Sequence, residues 1–130
     1  MIFIDSDCII DFLKGKKEAV NIVKKYSDNL VTTQINVFEI FFGILKQKEV
    51  SGKEWNFADG FFGSINIADF DSTCGKISAR IFSDLSKKGS LIDQNGCFIG
   101  AIMLKHNCNK IITKNKNHFS RIKGIKVISY

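Results

Sequence analysis

The amino-acid sequence predicts an α/β protein of three layers (α/β/α), with helices on both faces of a mostly parallel sheet of about five strands. Two observations predict this class. Short apolar runs, typical of strands buried on both faces, alternate with longer segments in which apolar residues recur at helical spacing. Acidic residues also follow or adjoin these elements, and open α/β sheets form their active crevices where the strands end. A chain of 130 residues is expected to form one domain, residues 1–130.

The first half of the chain is predicted to contain three strands and four helices. The strands are expected over residues 1–4, 29–33 and 65–70. The first helix should begin near Ser6 or Asp7, either of which can cap it, and should end at Gly15. Three more helices are expected over residues 18–26, 34–47 and 51–62, and Ser51 with Glu54 forms the pattern of a capping box at the last of them.

The second half is predicted to contain two helices and two strands. One helix should span residues 72–88 and end at Gly89, after a turn in which Asp69 and Asp71 act as turn and cap residues. The other should span residues 95–106, and because it is almost wholly apolar we expect it to be central. The two strands are expected over residues 110–113 and 126–128.

The composition favours a polyanionic partner. The chain has 19 Lys and Arg against 13 Asp and Glu, a net charge of +6 and a pI near 9.2. RNA, DNA or an acidic protein would suit this charge. Twelve Phe are also more aromatic rings than a core of this size readily hides. The cluster Trp55, Phe57, Phe61 and Phe62 is therefore either core or a groove that receives a partner helix.

The cysteines and the hydropathy indicate a reducing compartment. The four cysteines form no CxxC pair and no zinc-ligand spacing, so we expect them to be reduced and structural. The chain shows neither a signal peptide nor an apolar run of transmembrane length. A soluble, cytoplasmic protein with no membrane partner is the expectation.

Three acidic residues mark a candidate site. Asp5 ends the first strand, Glu39 lies inside an apolar helix, and Asp93 precedes the central helix. Burying a carboxylate costs free energy unless a metal ion or another cation compensates its charge. Acids that are scattered in sequence but tied to apolar elements therefore indicate a divalent-metal site, although Asp5 and Asp93 can each also be explained as a helix cap.

These segments resemble the motifs of PIN domains. The opening Ile2-Phe3-Ile4-Asp5-Ser6-Asp7 is similar to the family's first strand and acidic segment, and Asn36-Val37-Phe38-Glu39 to its second acidic motif. Ile99-Gly100-Ala101 resembles the central helix, and Ile111-Ile112-Thr113-Lys114-Asn115 the closing strand and loop. The likeness covers essentially the whole chain in order, and length and architecture point to the toxin branch of VapBC-type toxin–antitoxin pairs.

The resemblance implies a PIN fold and a metal-dependent endoribonuclease that cleaves structured RNA, with tRNA or rRNA as the expected substrate. Asp5 and Glu39 match the first and second acids around Mg²⁺ or Mn²⁺, hard cations that prefer oxygen ligands. The polar residues that would support the site from outside its ligand set are Ser6, Asp7, Thr113 and Asn115. The resemblance also implies a protein antitoxin of VapB type and a homodimer.

The chain departs from the family's pattern at its third acid. Gly96 stands where an Asp is expected, and His118 stands at the fourth acidic position, where we interpret it as a surface loop residue. Three explanations of Gly96 are open. Asp93 swings in as a replacement catalytic and metal ligand, the protein is a natural degenerate member that binds without cutting, or Gly96 is an introduced change. The expectation is a weakened or inactive enzyme.

Two rival functions follow from the same residues. A catalytically dead PIN-like module would bind RNA or a protein and would keep metal binding at Asp5 and Glu39 without cleaving RNA. A flavodoxin-like or receiver domain would also place acids at strand ends. It would need a phosphoacceptor Asp and a late-strand Lys, for which the chain offers only Lys114.

Overall fold

The structure, a computed structural model, describes residues 1–130 and contains one five-stranded sheet. The strands are β1 (Ile2–Ile4), β2 (Leu30–Thr33), β3 (Asn66–Ala68), β4 (Lys110–Ile112) and β5 (Lys126–Ile128). Their order is β3-β2-β1-β4-β5, and every neighbouring pair is parallel. The predicted α/β class is confirmed. Flavodoxin-like and receiver domains have the order 2-1-3-4-5, so that alternative is wrong.

Seven α-helices accompany the strands. They are α1 (Ser6–Leu13), α2 (Lys17–Tyr26), α3 (Gln34–Leu45), α4 (Gly52–Ser64), α5 (Cys74–Lys87), α6 (Gln94–Lys105) and α7 (Lys116–Phe119), with a 3₁₀ turn at Ser27–Asn29. The first six were predicted, with ends displaced by at most two residues. α7 was not, because a single turn is too short to leave a periodic apolar pattern.

Two apolar cores lie on opposite faces of the sheet. Successive strand residues point to opposite faces, so Ile2 and Ile4 enter one core and Phe3 the other. Helices α1 to α4 close the first core, which contains 13 buried residues. Helices α5 and α6, with Phe119 of α7, close the second, which contains 17. This arrangement confirms the predicted three layers and explains why the β1 run is apolar without alternation.

Two helix caps differ from the prediction. Helix α1 begins at Ser6, its N-cap residue is Asp5, and the Asp5 side chain makes no capping bond. Asp7 lies inside the first turn, where its Oδ1 accepts a bond from the Cys8 N–H (2.6 Å). The expectation that Ser6 or Asp7 caps this helix is therefore wrong, and the Asp5 carboxylate bonds other partners. At α4 the Ser51 hydroxyl accepts a bond from the Glu54 N–H (3.3 Å), but the Glu54 carboxylate bonds elsewhere, so the predicted capping box is only half formed.

The edge strand β3 is shorter than predicted. It spans Asn66–Ala68 rather than residues 65–70, because the chain leaves the sheet for a turn built on Asp71. The Asp71 carboxylate accepts bonds from the Thr73 N–H (2.9 Å) and hydroxyl (2.8 Å) and also pairs with Lys105. The turn role expected of Asp71 is therefore seen.

The cysteines are buried and the helices are short. All four cysteines are free thiols, and burial raises the pKa of Cys8 to about 12 and that of Cys74 and Cys97 above its ordinary value. A thiol that keeps its proton is a poor nucleophile, which fits the structural role predicted for these residues.

None of the helices combines the length and apolar character that crossing a bilayer requires.

Candidate active site

The candidate site lies at the carboxyl edge of the sheet, where β1, β2 and β4 end. Asp5 directly follows β1 and Thr113 directly follows β4, and the Asp5 N–H donates to the Ile112 carbonyl (3.0 Å). Helix α3 starts immediately after β2 and brings Glu39 to the same edge. A pocket of about 200 Å³ opens here, lined by Asp5, Ser6, Asp7, Glu39, Asp93, Gly96, Ile99, Asn115, His118 and Phe119. Every predicted site residue except Thr113 lines this pocket.

Asp5 is a buried carboxylate with a partner on each oxygen. It is 8 % exposed. Its Oδ1 accepts a bond from the Asn36 amide (3.0 Å) and its Oδ2 one from the Thr113 hydroxyl (3.0 Å). Burial, followed by the negative charges of Asp7 and Glu39, raises the pKa of Asp5 to about 7. A cation in the pocket would oppose each of these effects.

Glu39 faces Asp5 from helix α3. Its Oε1 accepts a bond from the Ser6 hydroxyl (2.8 Å), which spans 33 positions of sequence between α1 and α3. Burial raises the pKa of Glu39, and the Ser6 bond opposes this in part. The two predicted ligands are thus both carboxylates whose ionised form lacks full compensation.

Asn36 links the two carboxylates, and the sequence analysis did not identify its role. Its side chain is 1 % exposed. The amide Nδ2 donates to Asp5 Oδ1 (3.0 Å) and Ser6 Oγ (2.9 Å) and lies 3.5 Å from Glu39 Oε1. The amide oxygen accepts bonds from the Thr33 hydroxyl (2.7 Å) and N–H (3.3 Å) in a capping box at the start of α3. The signal was available: Asn36 precedes Glu39 by three positions, which places both on one face of the helix.

Thr113 joins the two aspartates that flank the start of α1. Its hydroxyl lies 3.0 Å from Asp5 Oδ2 and 2.9 Å from Asp7 Oδ2, and it accepts a bond from the Asn115 N–H (3.0 Å). The Asp7 carboxylate also accepts a bond from the Lys114 N–H (2.9 Å). Asp7 therefore ties α1 to the loop after β4, and Asn115 continues that loop into the pocket as the N-cap residue of α7.

The opposite wall of the pocket carries Gly96 and its neighbours. Asp93 is the N-cap residue of α6, and its Oδ1 accepts the Gly96 N–H bond (2.8 Å). The same oxygen lies 2.8 Å from His118 Nε2. The His118 side chain is only 20 % exposed against 61 % for Asp93. The interpretation of His118 as a surface loop residue is wrong, because α7 turns its ring into the pocket.

Lys114 does not reach the pocket with its charged group. Its ammonium pairs with Asp11, which also binds the Lys16 ammonium (2.7 Å) and the Tyr130 hydroxyl (3.0 Å). The bonds from Lys114 and Lys16 hold the pKa of Asp11 well below its usual range. This cluster anchors the end of the chain to α1 and leaves the carboxylates of the pocket without a nearby ammonium.

The donor set fits a divalent cation, although incompletely. Asp5 and Glu39 offer carboxylate oxygens, the ligands that Mg²⁺ and Mn²⁺ favour, and the raised pKa of each reflects charge that a cation would compensate. No group of three His, Cys, Asp or Glu side chains is placed to hold a metal ion. The two carboxylates would thus need water or substrate oxygens to complete the coordination.

The comparisons with known proteins agree with one another. The sequence profile of the PIN domain matches residues 2–125. "Ribonuclease VapC3" of Methanocaldococcus jannaschii is 29 % identical over 99 residues, which cover 76 % of this chain and 94 % of that protein. The toxin–antitoxin complex VapBC2 of Rickettsia felis, solved with a promoter DNA fragment, contains a chain with a TM-score of 0.88 and 21 % identity, covering 100 % of this chain and 99 % of that one. DNA-bound VapBC of Salmonella typhimurium contains a chain with a TM-score of 0.86 and 18 % identity, covering 99 % of this chain and 98 % of that one.

Proposed function

The chain belongs to the PIN-domain family, and on that basis we propose that it is a VapC-type endoribonuclease toxin whose activity is weakened at Gly96. The observation that carries this proposal is the pair Asp5 and Glu39, held at one edge of the sheet by the Asn36 amide. Such a pair, with Asp5 buried, Glu39 half-buried and both pKa values raised, suits a divalent cation. The similarity to a curated ribonuclease over most of the chain supports the reaction class.

Mg²⁺ or Mn²⁺ would be held by Asp5 and Glu39. When bound, such an ion activates water and neutralises charge on a phosphodiester. The chain itself orients the ligands. Asn36 fixes Asp5 Oδ1, which leaves only part of that oxygen's coordination free, and Ser6 fixes Glu39 Oε1. Thr113 holds the second oxygen of Asp5 in register with Asp7. This organisation keeps the two carboxyl groups at fixed positions before substrate arrives.

The proposed metal site is weakened at Gly96, where the family's pattern has its third acid. Gly96 offers no carboxylate, and the nearest acid, Asp93, is engaged by the Gly96 N–H and by His118. The ordinary N-cap explanation of Asp93 is therefore better supported than its role as a replacement ligand. With two carboxylates instead of three or four, metal affinity and the geometry of attack should both suffer.

RNA is the proposed substrate, and structured RNA such as tRNA or rRNA suits the chain best. The net charge of +6 favours a polyanion, and Lys116 opens the same short helix that carries His118 into the pocket. Phosphate contacts by exposed lysines would give affinity that falls steeply as salt rises.

A VapB-type antitoxin is the proposed protein partner. The aromatic cluster predicted to be core or groove is divided: Phe61 and Phe62 are buried, whereas Trp55 and Phe57 are exposed. An apolar groove of about 510 Å³ between α1, α2 and α4 contains Phe12, Leu13, Val23, Leu30, Phe57, Phe61 and Ile65. An amphipathic helix of the antitoxin would fit there. The similar solved structures are toxin–antitoxin complexes, which favours this partner.

A homodimer is proposed as well. Phe38 and Phe42 stack on the outer face of α3 with ring centroids 5.6 Å apart, and both are more than half exposed. Exposed aromatic pairs of this kind are more typical of a covered surface than of a free one.

The test is Mn²⁺-dependent cleavage of a folded RNA by the parent chain, Asp5→Asn and the control Asp59→Asn, which changes an exposed acid of α4. We expect slow cleavage by the parent and the control, and none by Asp5→Asn or in the presence of a chelator. Cleavage that survives Asp5→Asn would contradict the proposed site.

The second candidate is a dead PIN-like binding module, which the lack of a three-residue metal group favours. It predicts that calorimetry detects Mn²⁺ binding lost in Asp5→Asn while no RNA is cut by any of the three proteins.

A further inference from the structure

The backbone at Gly96 leaves no room for a side chain while His118 keeps its position. A Cβ atom built on Gly96 would lie 2.6 Å from His118 Nε2 and 2.7 Å from Asp93 Oδ1. Real Cβ atoms do not approach other heavy atoms this closely. Gly96 has no positive φ, so backbone conformation gives no reason for a glycine here.

The His118 ring thus occupies the volume that a side chain at position 96 would enter. Its Nε2 contacts Asp93, whose same oxygen caps α6 through the Gly96 N–H. Its neighbour Phe119 is buried in the core at 2 % exposure, which fixes α7 against the sheet. The anchored helix and the contact with Asp93 together define the ring's position, and a Cβ atom at position 96 would require the ring and the Asp93 carboxylate to move.

Resting on the proposed function, we infer that Gly96 and His118 are a matched pair, and that His118 determines whether a third carboxylate can enter the site. An Asp at position 96 would have to displace the ring from Asp93, or would pair with the ring instead of with a metal ion. Restoring the third ligand therefore requires a change at both positions.

A thermodynamic cycle in alanine tests the inference without altering charge. Gly63→Ala is the matched control, because Gly63 is an exposed glycine of α4 with nothing within 4 Å of the added Cβ. Ala is the better helix former, so the control should raise Tm by about 3 °C. Gly96→Ala should lower Tm in the parent, and the loss should shrink or reverse in the His118→Ala background, where only the contact with Asp93 remains. Equal shifts in the two backgrounds, within about 1 °C, would overturn the inference.

A second arm measures Mn²⁺ affinity by calorimetry for the parent, Gly96→Asp, His118→Ala and the double variant. We expect the double variant to gain at least about tenfold more than the product of the single effects, which corresponds to about 1.4 kcal/mol of coupling. The inference would be overturned if Gly96→Asp alone gained the whole Mn²⁺ affinity of the double variant. If no variant binds Mn²⁺, the proposed metal site fails while the alanine cycle still decides whether the two positions are coupled.

Discussion

The two walls of the pocket differ in burial and in the number of hydrogen bonds that hold their side chains. The carboxylate wall is formed by Asp5, Asn36 and Thr113, which are buried, and by Ser6 and Glu39, which are half-buried. Hydrogen bonds join these side chains across α1, α3 and the segments that follow β1 and β4. The Gly96 wall, formed by Asp93, Gly96 and His118, depends on one exposed carboxylate oxygen that serves two partners. The first wall offers two carboxylates to a charged ligand. The second offers one carboxylate that is already bonded, and a histidine ring lies beside Gly96.

This difference indicates which wall tolerates substitution less. In the carboxylate wall each side chain satisfies another buried polar group, so the loss of one leaves its partner unpaired at substantial cost. In the Gly96 wall, water can replace most of what is lost. Substitutions that break one wall and leave the other intact should therefore differ in their cost.

Asp5→Asn should have the largest effect on stability, and its sign depends on pH. In the metal-free protein the Asp5 pKa is about 7 when folded, against an ordinary value of 3.8. Between these values the native state keeps a proton that the unfolded state releases, so the free energy of unfolding falls as pH rises through this window. The difference corresponds to up to about 4 kcal/mol above pH 7. Glu39, whose pKa is also raised, acts in the same direction.

Urea unfolding between pH 4 and 8 in the presence of a chelator checks this prediction. Asp5→Asn should show a flatter pH dependence than the parent and higher stability at pH 8, and Mn²⁺ should stabilise the parent but not Asp5→Asn. The exposed Asp59→Asn serves as the control and should follow the parent. Identical pH slopes for the parent and Asp5→Asn would show that burial does not hold the Asp5 proton.

Asn36→Ala should cost about 2–3 kcal/mol of unfolding free energy, because it removes a buried amide that bonds both Asp5 and the Thr33 cap. The exposed Asn56→Ala on α4 should cost less than about 0.5 kcal/mol. Chemical denaturation measures both. Equal small losses would mean that the carboxylate wall is no more constrained than the surface.

Asp93→Ala should cost only about 1 kcal/mol, the usual value of an N-cap, and should leave Mn²⁺ affinity within about twofold of the parent. The reason is that its carboxylate is occupied by the Gly96 N–H and His118. A loss of Mn²⁺ binding in Asp93→Ala would instead make Asp93 the replacement ligand, an explanation that the sequence left open.

The sequence predicted the carboxylate wall better than the Gly96 wall for a physical reason. Asp5 and Glu39 can be recognised in the sequence, because burying a charged side chain beside an apolar run costs free energy unless a partner compensates it. Asn36 carries no charge and was missed, although its spacing from Glu39 places it on the same helical face. The contact between His118 and Asp93 joins residues 25 positions apart through a single helical turn, and no local periodicity encodes it.

The accuracy of the predicted strands also differs from strand to strand. Strands β1, β2, β4 and β5 were predicted to within one residue at each end. The clearest case is β1, which lies in the middle of the sheet, is buried throughout and is an uninterrupted apolar run. Strand β3 was predicted too long because the turn built on Asp71, rather than the apolar pattern, sets its end.

We propose that a two-carboxylate PIN site is held below full activity by the Gly96 wall. The deciding experiment measures the rate of Mn²⁺-dependent cleavage of a folded RNA by the parent, by Gly96→Asp/His118→Ala, and by that double variant carrying Asp5→Asn. We expect the double variant to cleave at least about tenfold faster than the parent, a gain of about 1.4 kcal/mol in transition-state stabilisation, and Asp5→Asn to abolish cleavage. Equal rates for the parent and the double variant, or cleavage that survives Asp5→Asn, would contradict the proposal.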